Sequence, residues 1–121
     1  MKSDGDLWER RALRFLEQQG LQLITRNFRA RTGELDLVMT DHHQVVFIEV
    51  RKRQRSRFSS AAASIDARKI ARLRRTAMLL LQRYPGLAGK PCRFDVVAFD
   101  AGPDTTAETT PRWLRGVDNG F

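Results

Sequence analysis

Two apolar runs joined by a short polar break are the feature that most constrains the fold of this chain. The runs cover residues 33–40 and 44–53, alternate in part, and are rich in Val and Ile, as half-buried strands are. The polar break between them predicts a turn and therefore an antiparallel hairpin. With the turn centred on His42–His43, Asp36 lies opposite Glu49, and opposed residues share one face with Cβ atoms about 5 Å apart.

This register gathers acidic side chains on one face of the hairpin. Its open end carries Glu34, Asp36, Glu49 and Arg51, and the other face carries Leu35, Leu37, Ile48 and Val50. A shift of one residue would separate Asp36 from Glu49. Adjacent carboxylates repel each other and are costly to bury, but a hard divalent cation such as Mg²⁺ or Mn²⁺ would bridge them. The alternatives are a solvated sheet edge and structural salt bridges with nearby arginines.

The hairpin residues also carry a resemblance that extends over nearly the whole chain. The segments Gly-Glu-Leu-Asp-Leu-Val at 33–38 and Val-Phe-Ile-Glu-Val-Arg-Lys-Arg at 46–53 resemble the signature of the YraN-like proteins, a bacterial family of uncharacterised function. That family is similar in turn to the restriction-endonuclease-like nucleases, which include archaeal Holliday-junction resolvases. The core of those nucleases is an aspartate on one strand and Glu-x-Lys on the next.

The resemblance implies roles for particular residues. Asp36 corresponds to the aspartate, Glu49 to the glutamate and Glu9 to an additional acid on a helix. The catalytic residues would be Asp36, Glu49, Arg51 and Glu9, and the metal ligands Asp36, Glu49 and Glu34. Without the resemblance, Glu9 is an acid in the first turn of a helix, where it interacts favourably with the helix dipole.

Arg51 departs from the nuclease pattern because it falls where the lysine is expected. Arginine stays protonated and cannot act as a base, although it can hold a phosphate through two hydrogen bonds. Lys52 is adjacent, but strand alternation directs it to the opposite face. Lys69, on a later helix, is a conceivable substitute.

A strong positive charge indicates a polyanionic partner. The chain has 22 Lys and Arg against 14 Asp and Glu, a net charge of +8 and a sequence pI near 11.0, which predicts attraction to nucleic acid first and to an anionic membrane surface second. We expect DNA rather than RNA, and no membrane. The expected nucleic-acid-binding residues are Arg29, Arg31, Lys52, Arg53, Arg55, Arg57, Lys69 and Arg72. The alternative is a charge that serves only solubility.

Cysteine content and hydropathy indicate the cellular compartment in which the chain is expected. Cys92 is the only cysteine, which excludes an intrachain disulfide and indicates a reducing cytoplasm. No apolar run approaches the roughly 20 residues of a membrane span, and the first six residues do not resemble a signal peptide. We expect a monomer or a homodimer.

Periodicity predicts the remaining elements. The first is a helix over Asp6–Gln19, which faces the sheet with Trp8, Ala12, Phe15 and Leu16, and a strand over Leu21–Arg29 follows. After the hairpin come a helix over Ser64–Tyr84, with Asp66 as an alternative N-cap, a strand over Pro91–Asp100, a mobile loop over 101–111 and a short edge strand from Arg112. For Asp95 we expect a salt bridge with a nearby arginine and not a role as a metal ligand. This order predicts one α/β domain over 1–121, a mixed sheet flanked by helices; the resemblance implies a restriction-endonuclease-like fold.

These observations predict a cytoplasmic nucleic-acid-binding protein resembling metal-dependent endonucleases. Asp36 and Glu49 would hold one or two Mg²⁺ or Mn²⁺ ions for phosphodiester hydrolysis, on branched DNA if the resolvase resemblance extends that far. Two alternatives stay open: a catalytically inactive DNA-binding module that keeps the fold, and a protein-interaction adaptor.

Overall fold

A computed structural model describes residues 4–54, 66–101 and 110–118. Its helices are α1 (Asp4–Gln18) and α2 (Ala67–Arg83), and its strands are β1 (Gln22–Ala30), β2 (Gly33–Thr40), β3 (Val45–Gln54), β4 (Cys92–Ala101) and β5 (Arg112–Leu114). A single 3₁₀ turn, Pro85–Leu87, follows α2. The predicted α/β class, a mixed sheet flanked by helices, is confirmed, and the architecture is consistent with a restriction-endonuclease-like fold.

The five strands form one sheet in the order β1-β2-β3-β4-β5. Neighbouring strands are antiparallel except β3 and β4, which run parallel from Val45↔Cys92 to Gln54↔Ala101. The parallel pair requires a crossover, and α2 lies within it. The two helices therefore pack on opposite faces of the sheet, with a hydrophobic cluster under each.

The α1 face is built from the helical stripe that the sequence predicts. Trp8, Ala12 and Leu16 are buried and pack with residues from β2, β3 and β4, and Phe15 is half-buried against the same cluster. The helix ends at Gln18, and Gly20 follows with φ +98°, a conformation that glycine adopts without steric cost.

Helix α2, which covers the other face of the sheet, begins about one turn later than the sequence pattern suggested. Asp66 caps the helix, and its side chain accepts a 2.9 Å hydrogen bond from the backbone N–H of Lys69. The predicted start at Ser64 is therefore wrong, and the alternative cap at Asp66 is confirmed. Leu73, Ala77 and Leu80 are buried against a cluster that includes Phe47 and Phe94. Neither helix in the described ranges is long and apolar enough to cross a membrane.

One face assignment in the hairpin is wrong. Leu37 shares a face with Ile48 and Val50 as predicted, in the α1 cluster, but Leu35 packs in the α2 cluster. The side chains of the neighbouring strand β1 change faces at the same level of the sheet. Arg26 reaches α1, whereas Phe28 packs on the α2 side. Between them Asn27 has φ +54°, a left-handed conformation that interrupts regular alternation.

Asp95 holds the end of the described chain against the sheet. Its fully buried carboxylate accepts hydrogen bonds from Nε of Arg93, Nε1 of Trp113 and the backbone N–H of Gly116, at 2.9–3.0 Å. The predicted salt bridge is thus confirmed, and Trp113 packs on the α1 cluster. Arg55, Arg57, most of the predicted 101–111 loop and the side chain of Arg53 lie outside the described residues.

Candidate active site

The hairpin register places the two central acids together. The pairs Thr40↔Val45 to Leu37↔Ile48 have the register that a turn centred on His42 and His43 predicts. One residue further on, the carboxyl groups of Asp36 and Glu49 are hydrogen-bonded to each other. Oδ2 of Asp36 also accepts a 2.8 Å hydrogen bond from the backbone N–H of Val50. At this point a side chain, instead of the backbone, joins β2 to β3.

An open cleft of about 440 Å³ lies above this pair, at the end of the sheet where both helices begin. It is lined by Trp8, Glu9, Glu34, Asp36, Glu49, Val50, Arg51, Lys52 and Lys69. The cleft therefore contains every residue for which the sequence predicted a catalytic or metal-binding role. They come from one helix and two strands, and the second helix adds Lys69.

Lys69 reaches the cleft from the first turn of α2. Its Nζ lies 3.1 Å from Oε2 of Glu49, whose side chain is only 6% exposed. The approach is off the direction that a hydrogen bond requires, so the contact is an ion pair and Oε2 makes no hydrogen bond within the described residues. Lys69 was expected on the basic surface or as a substitute for the missing lysine, and it lies where the second expectation needs it.

Burial of the acid pair changes its protonation. Removal from water, the hydrogen bond to Glu49 and the negative charge of Glu49 raise the pKa of Asp36 to about 9, and the N–H of Val50 opposes the rise. Two carboxylates in contact cannot both ionise at low cost. At neutral pH the pair therefore shares a proton, and a cation that replaces this proton would meet two oxygen donors already in contact.

Glu9 and Glu34 lie at the rim of the cleft, each beside an arginine of β1. Nε of Arg29 donates a 2.7 Å hydrogen bond to Oε2 of Glu34, and Nη2 of Arg26 lies 3.9 Å from Oε1 of Glu9. Burial and the charge of Glu34 raise the pKa of Glu9, and Arg26 opposes the rise. The rim acids are thus partly neutralised by cations, which makes them weaker metal ligands than the central pair.

The donor set fits a metal that takes few ligands from the protein. Among the described residues, no three Asp, Glu, His or Cys side chains lie close enough together to hold a metal ion. Asp36 and Glu49 alone supply two carboxylates. Mg²⁺ is commonly bound by one or two carboxylates, with waters and substrate phosphates completing its octahedron. The central pair fits that mode, whereas a predicted ligand role for Glu34 requires its release from Arg29.

The expected basic residues fall in different places. Arg29 is exposed and paired with Glu34. Arg31 and Arg72 are exposed on the α2 side, where a 2.8 Å hydrogen bond between the hydroxyls of Thr32 and Thr76 holds the β1–β2 turn against α2. Lys52 lies on the α1 side, with Nζ 5.9 Å from the ring centre of Trp8. It still lines the cleft with Arg51 and the acids, which strand alternation alone did not predict.

Sequence reasoning considered Arg26 as a phosphate contact but did not place it beside the acids of α1. Nη2 of Arg26 lies 3.4 Å from Oδ1 of Asp6, in addition to its approach to Glu9. The register of β1 against β2, in which Arg26 pairs with Leu37, would have placed it beside the acids. The short turn at Arg31 and Thr32 sets that register, which runs unbroken from Ala30↔Gly33 to Arg26↔Leu37; the bulge between Leu23 and Thr25 lies beyond it.

The fold and this cleft define a small α/β protein with a paired-carboxylate site at the open end of a mixed sheet. The chain belongs to the uncharacterised protein family UPF0102, whose family model matches residues 8–99. This is the YraN-like family that the hairpin residues resemble. The match includes Glu9, the hairpin, Lys69 and most of β4.

Bacterial relatives support the assignment. A UPF0102 protein of Pseudomonas putida strain W619 is 53% identical over 115 residues, covering 95% of this chain and 92% of the relative. One from a Janthinobacterium strain is 52% identical over 96 residues, covering 79% and 76%. One from Bordetella parapertussis is 48% identical over 118 residues, and the match covers 93% of this chain but only 62% of that longer relative.

Proposed function

We propose that this protein is a nucleic-acid-binding, metal-dependent phosphodiesterase, an endonuclease of restriction-endonuclease-like type that acts on DNA. The observation that carries the proposal is the hydrogen-bonded pair of Asp36 and Glu49, held in a cleft that also contains Lys69. Burial of two carboxylates in contact reduces stability, and the N–H of Val50 offsets only part of that cost. Such arrangements cluster at functional sites.

The residues of the cleft divide the work of hydrolysis. Asp36 and Glu49 would hold Mg²⁺ or Mn²⁺, and the N–H of Val50 fixes the carboxylate of Asp36. A bound divalent ion would lower the pKa of a water ligand and stabilise charge that develops on the phosphate. Lys69 positions Glu49 by its ion pair, and Arg51, which lines the same cleft, would hold the phosphate through its guanidinium fork.

The rim acids would assist the central pair. Glu9 is a catalytic candidate because its raised pKa favours the protonated form at the mouth of the cleft. Glu34 is a metal-ligand candidate once a phosphate draws Arg29 away, since the side chain of Arg29 is 80% exposed and its ion pair is exchangeable. Both roles are secondary to those of Asp36 and Glu49.

Net charge supports a polyanionic substrate. A protein with charge +8 is attracted to DNA or RNA through phosphate contacts that release counterions. Arg31, Arg72 and the basic run from Arg51 to Arg57 would supply these contacts, and none of them encodes a base pattern, so binding would follow backbone and shape. We place the protein in the cytoplasm, as a monomer or a homodimer.

The direct test is cleavage of labelled linear, nicked and branched DNA with Mg²⁺ or Mn²⁺. We expect product with the wild-type protein and at least a hundredfold loss, on the order of one abolished catalytic group, in Asp36→Ala. Asp41→Asn is the matched control, because it removes an acid of the distant hairpin turn. Cleavage that persists unchanged in Asp36→Ala would refute the mechanism.

A second candidate function is DNA binding without catalysis. It is favoured by Arg51, which stands where the nuclease pattern Glu-x-Lys has a lysine. It predicts salt-sensitive binding that does not depend on divalent ions, and no product from any DNA. In that case Arg51→Lys would create activity. Failure of the wild-type protein to retain DNA at low salt would instead support the third candidate, an adaptor for an acidic protein.

A further inference from the structure

We propose that a second groove, between α1 and β4 beside the acidic cleft, binds the phosphate backbone of the nucleic-acid strand that leaves the cleft. The groove has a volume of about 240 Å³ and is lined by Arg11, Arg14, Phe15, Gln18, Phe99 and Pro111. The proposal deepens the proposed function, on whose nucleic-acid partner it rests. It adds a binding site on the α1 face, where Arg11 and Arg14 lie outside the residues considered above.

The groove is adjacent to the acidic cleft and shares a wall with it. Trp8 lines the cleft, and its ring centre lies 4.8 Å from that of Phe99, which lines the groove. The guanidinium of Arg11 lies over both rings, at 4.7 Å from Trp8 and 5.5 Å from Phe99. Lys52 approaches Trp8 from the cleft side. Cations therefore run continuously from the cleft into the groove.

Stacking prepares Arg11 to receive an anion. A guanidinium over an aromatic face keeps its N–H groups at its edge, and its orientation is fixed before a ligand arrives. Arg14 lies one helical turn further along α1 and is exposed, so the rise between the two residues is about 4.5 Å. Two arginines along a helix present a row of donors that matches a row of phosphates better than a single anion.

The chemistry of the lining selects the backbone and not the bases. Trp8 and Phe99 are buried, at 8% and 1% exposed, so neither ring has a free face on which a base could stack. Phe15, which also lines the groove, is half-buried against the α1 cluster and packs edge-to-face with Trp113. None of the six lining residues is acidic. The groove is open and smaller than the roughly 300–1,000 Å³ of typical small-molecule pockets. These properties suit a charged chain that passes over the surface.

The test compares two double variants that remove the same charge. Arg11→Gln with Arg14→Gln alters the groove. The control is Arg83→Gln with Lys90→Gln, two exposed residues; Arg83 ends α2, and Lys90 precedes the start of β4, at the end of the sheet away from the cleft. Binding of a fluorescent single-stranded oligonucleotide is measured against salt in EDTA, where cleavage cannot occur. Arg14→Gln alone covers the case in which loss of Arg11 prevents folding.

We expect the groove variant to reduce the slope of log K against log salt by about 1.4, which corresponds to two lost single-strand phosphate contacts, and Arg14→Gln to produce half of that change. The control should keep the wild-type slope. Equal slopes in both double variants would overturn the proposal, as would unchanged oligonucleotide binding accompanied by lost binding of poly-glutamate, which would indicate an acidic protein partner. Failure of the wild-type protein to bind the oligonucleotide would overturn it too. Cleavage is assayed separately, so an inactive protein with the expected slopes would refute hydrolysis and leave the groove intact.

Discussion

Replacement of Asp36 by Asn should make the protein more stable at alkaline pH. In the folded protein Asp36 is hydrogen-bonded to Glu49 and to the N–H of Val50. An asparagine can keep both contacts, because its amide donates to Glu49 and its carbonyl oxygen accepts from Val50. It has no proton to lose, so the folded state no longer has to retain one.

The sign and size follow from the pKa of Asp36, which is ordinarily 3.8 and is raised to about 9 in the folded protein. A folded-state pKa above the unfolded one gives stability that is complete below the unfolded value and is lost as pH rises through the folded one. Each retained proton changes the free energy of unfolding by about 1.4 kcal/mol per pH unit. Between about pH 5 and pH 8 the wild type should lose about 2–4 kcal/mol relative to Asp36→Asn, since Glu49 shares the proton.

Urea denaturation at several pH values, in EDTA, measures this difference. Asp41→Asn is the control, because hydrogen bonds from the backbone N–H groups of Gln44 and His43, with the charge of Arg93, outweigh its desolvation and lower the pKa of Asp41. Its own stability contribution is lost only as the pH falls through that lowered pKa. The charge of His43, which also lowers the pKa of Asp41, acts across an exposed turn, so the difference of Asp41→Asn from wild type should change by no more than about 1 kcal/mol between about pH 5 and pH 8. A change no larger than this for Asp36→Asn would refute the shared proton.

Three further predictions concern the site and its supports. Glu49→Gln should weaken Mn²⁺ binding, measured by calorimetry, by about tenfold or more because one of two carboxylates is lost; equal affinity would exclude Glu49 as a ligand. Asp66→Ala should lower the free energy of unfolding by about 1 kcal/mol by removing the cap on the N–H of Lys69, and Asp66→Asn should restore most of it. Asp95→Ala should cost about 3–5 kcal/mol because it strands buried donors, and tryptophan fluorescence of Trp113 should respond; a loss below about 1 kcal/mol would contradict that role.

The sequence predicted the fold class and the central acid pair because both depend on short-range patterns. A three-residue polar break sets the hairpin register, and register alone brings Asp36 to Glu49. The helical stripe of α1 was equally visible. The roles of these acids remain predictions: the hairpin register suggested metal binding, and the resemblance suggested hydrolysis.

Other features depend on contacts that no local pattern encodes. Lys69 forms an ion pair with Glu49 because α2 begins directly after its N-cap Asp66 and packs on the sheet with its first turn beside β3. Leu35 changes faces because the backbone reverses nearby, which strict alternation cannot anticipate. Arg26 reaches Glu9 only after α1 docks on β1. Each of these depends on packing between distant segments.

The left-handed backbone at Asn27 restricts how β1 could be redesigned. Valine, isoleucine and threonine would raise the strand propensity of this position but resist φ near +54°. A β1 rebuilt as an uninterrupted strand would present residues 26 and 28 to the same side, so either the arginine that serves the acidic rim or the phenylalanine that packs under α2 would be lost. An engineer who stabilised this strand by idealising it would therefore dismantle the rim of the cleft, and a substitution at Asn27 would also remove its side-chain hydrogen bond to Glu9.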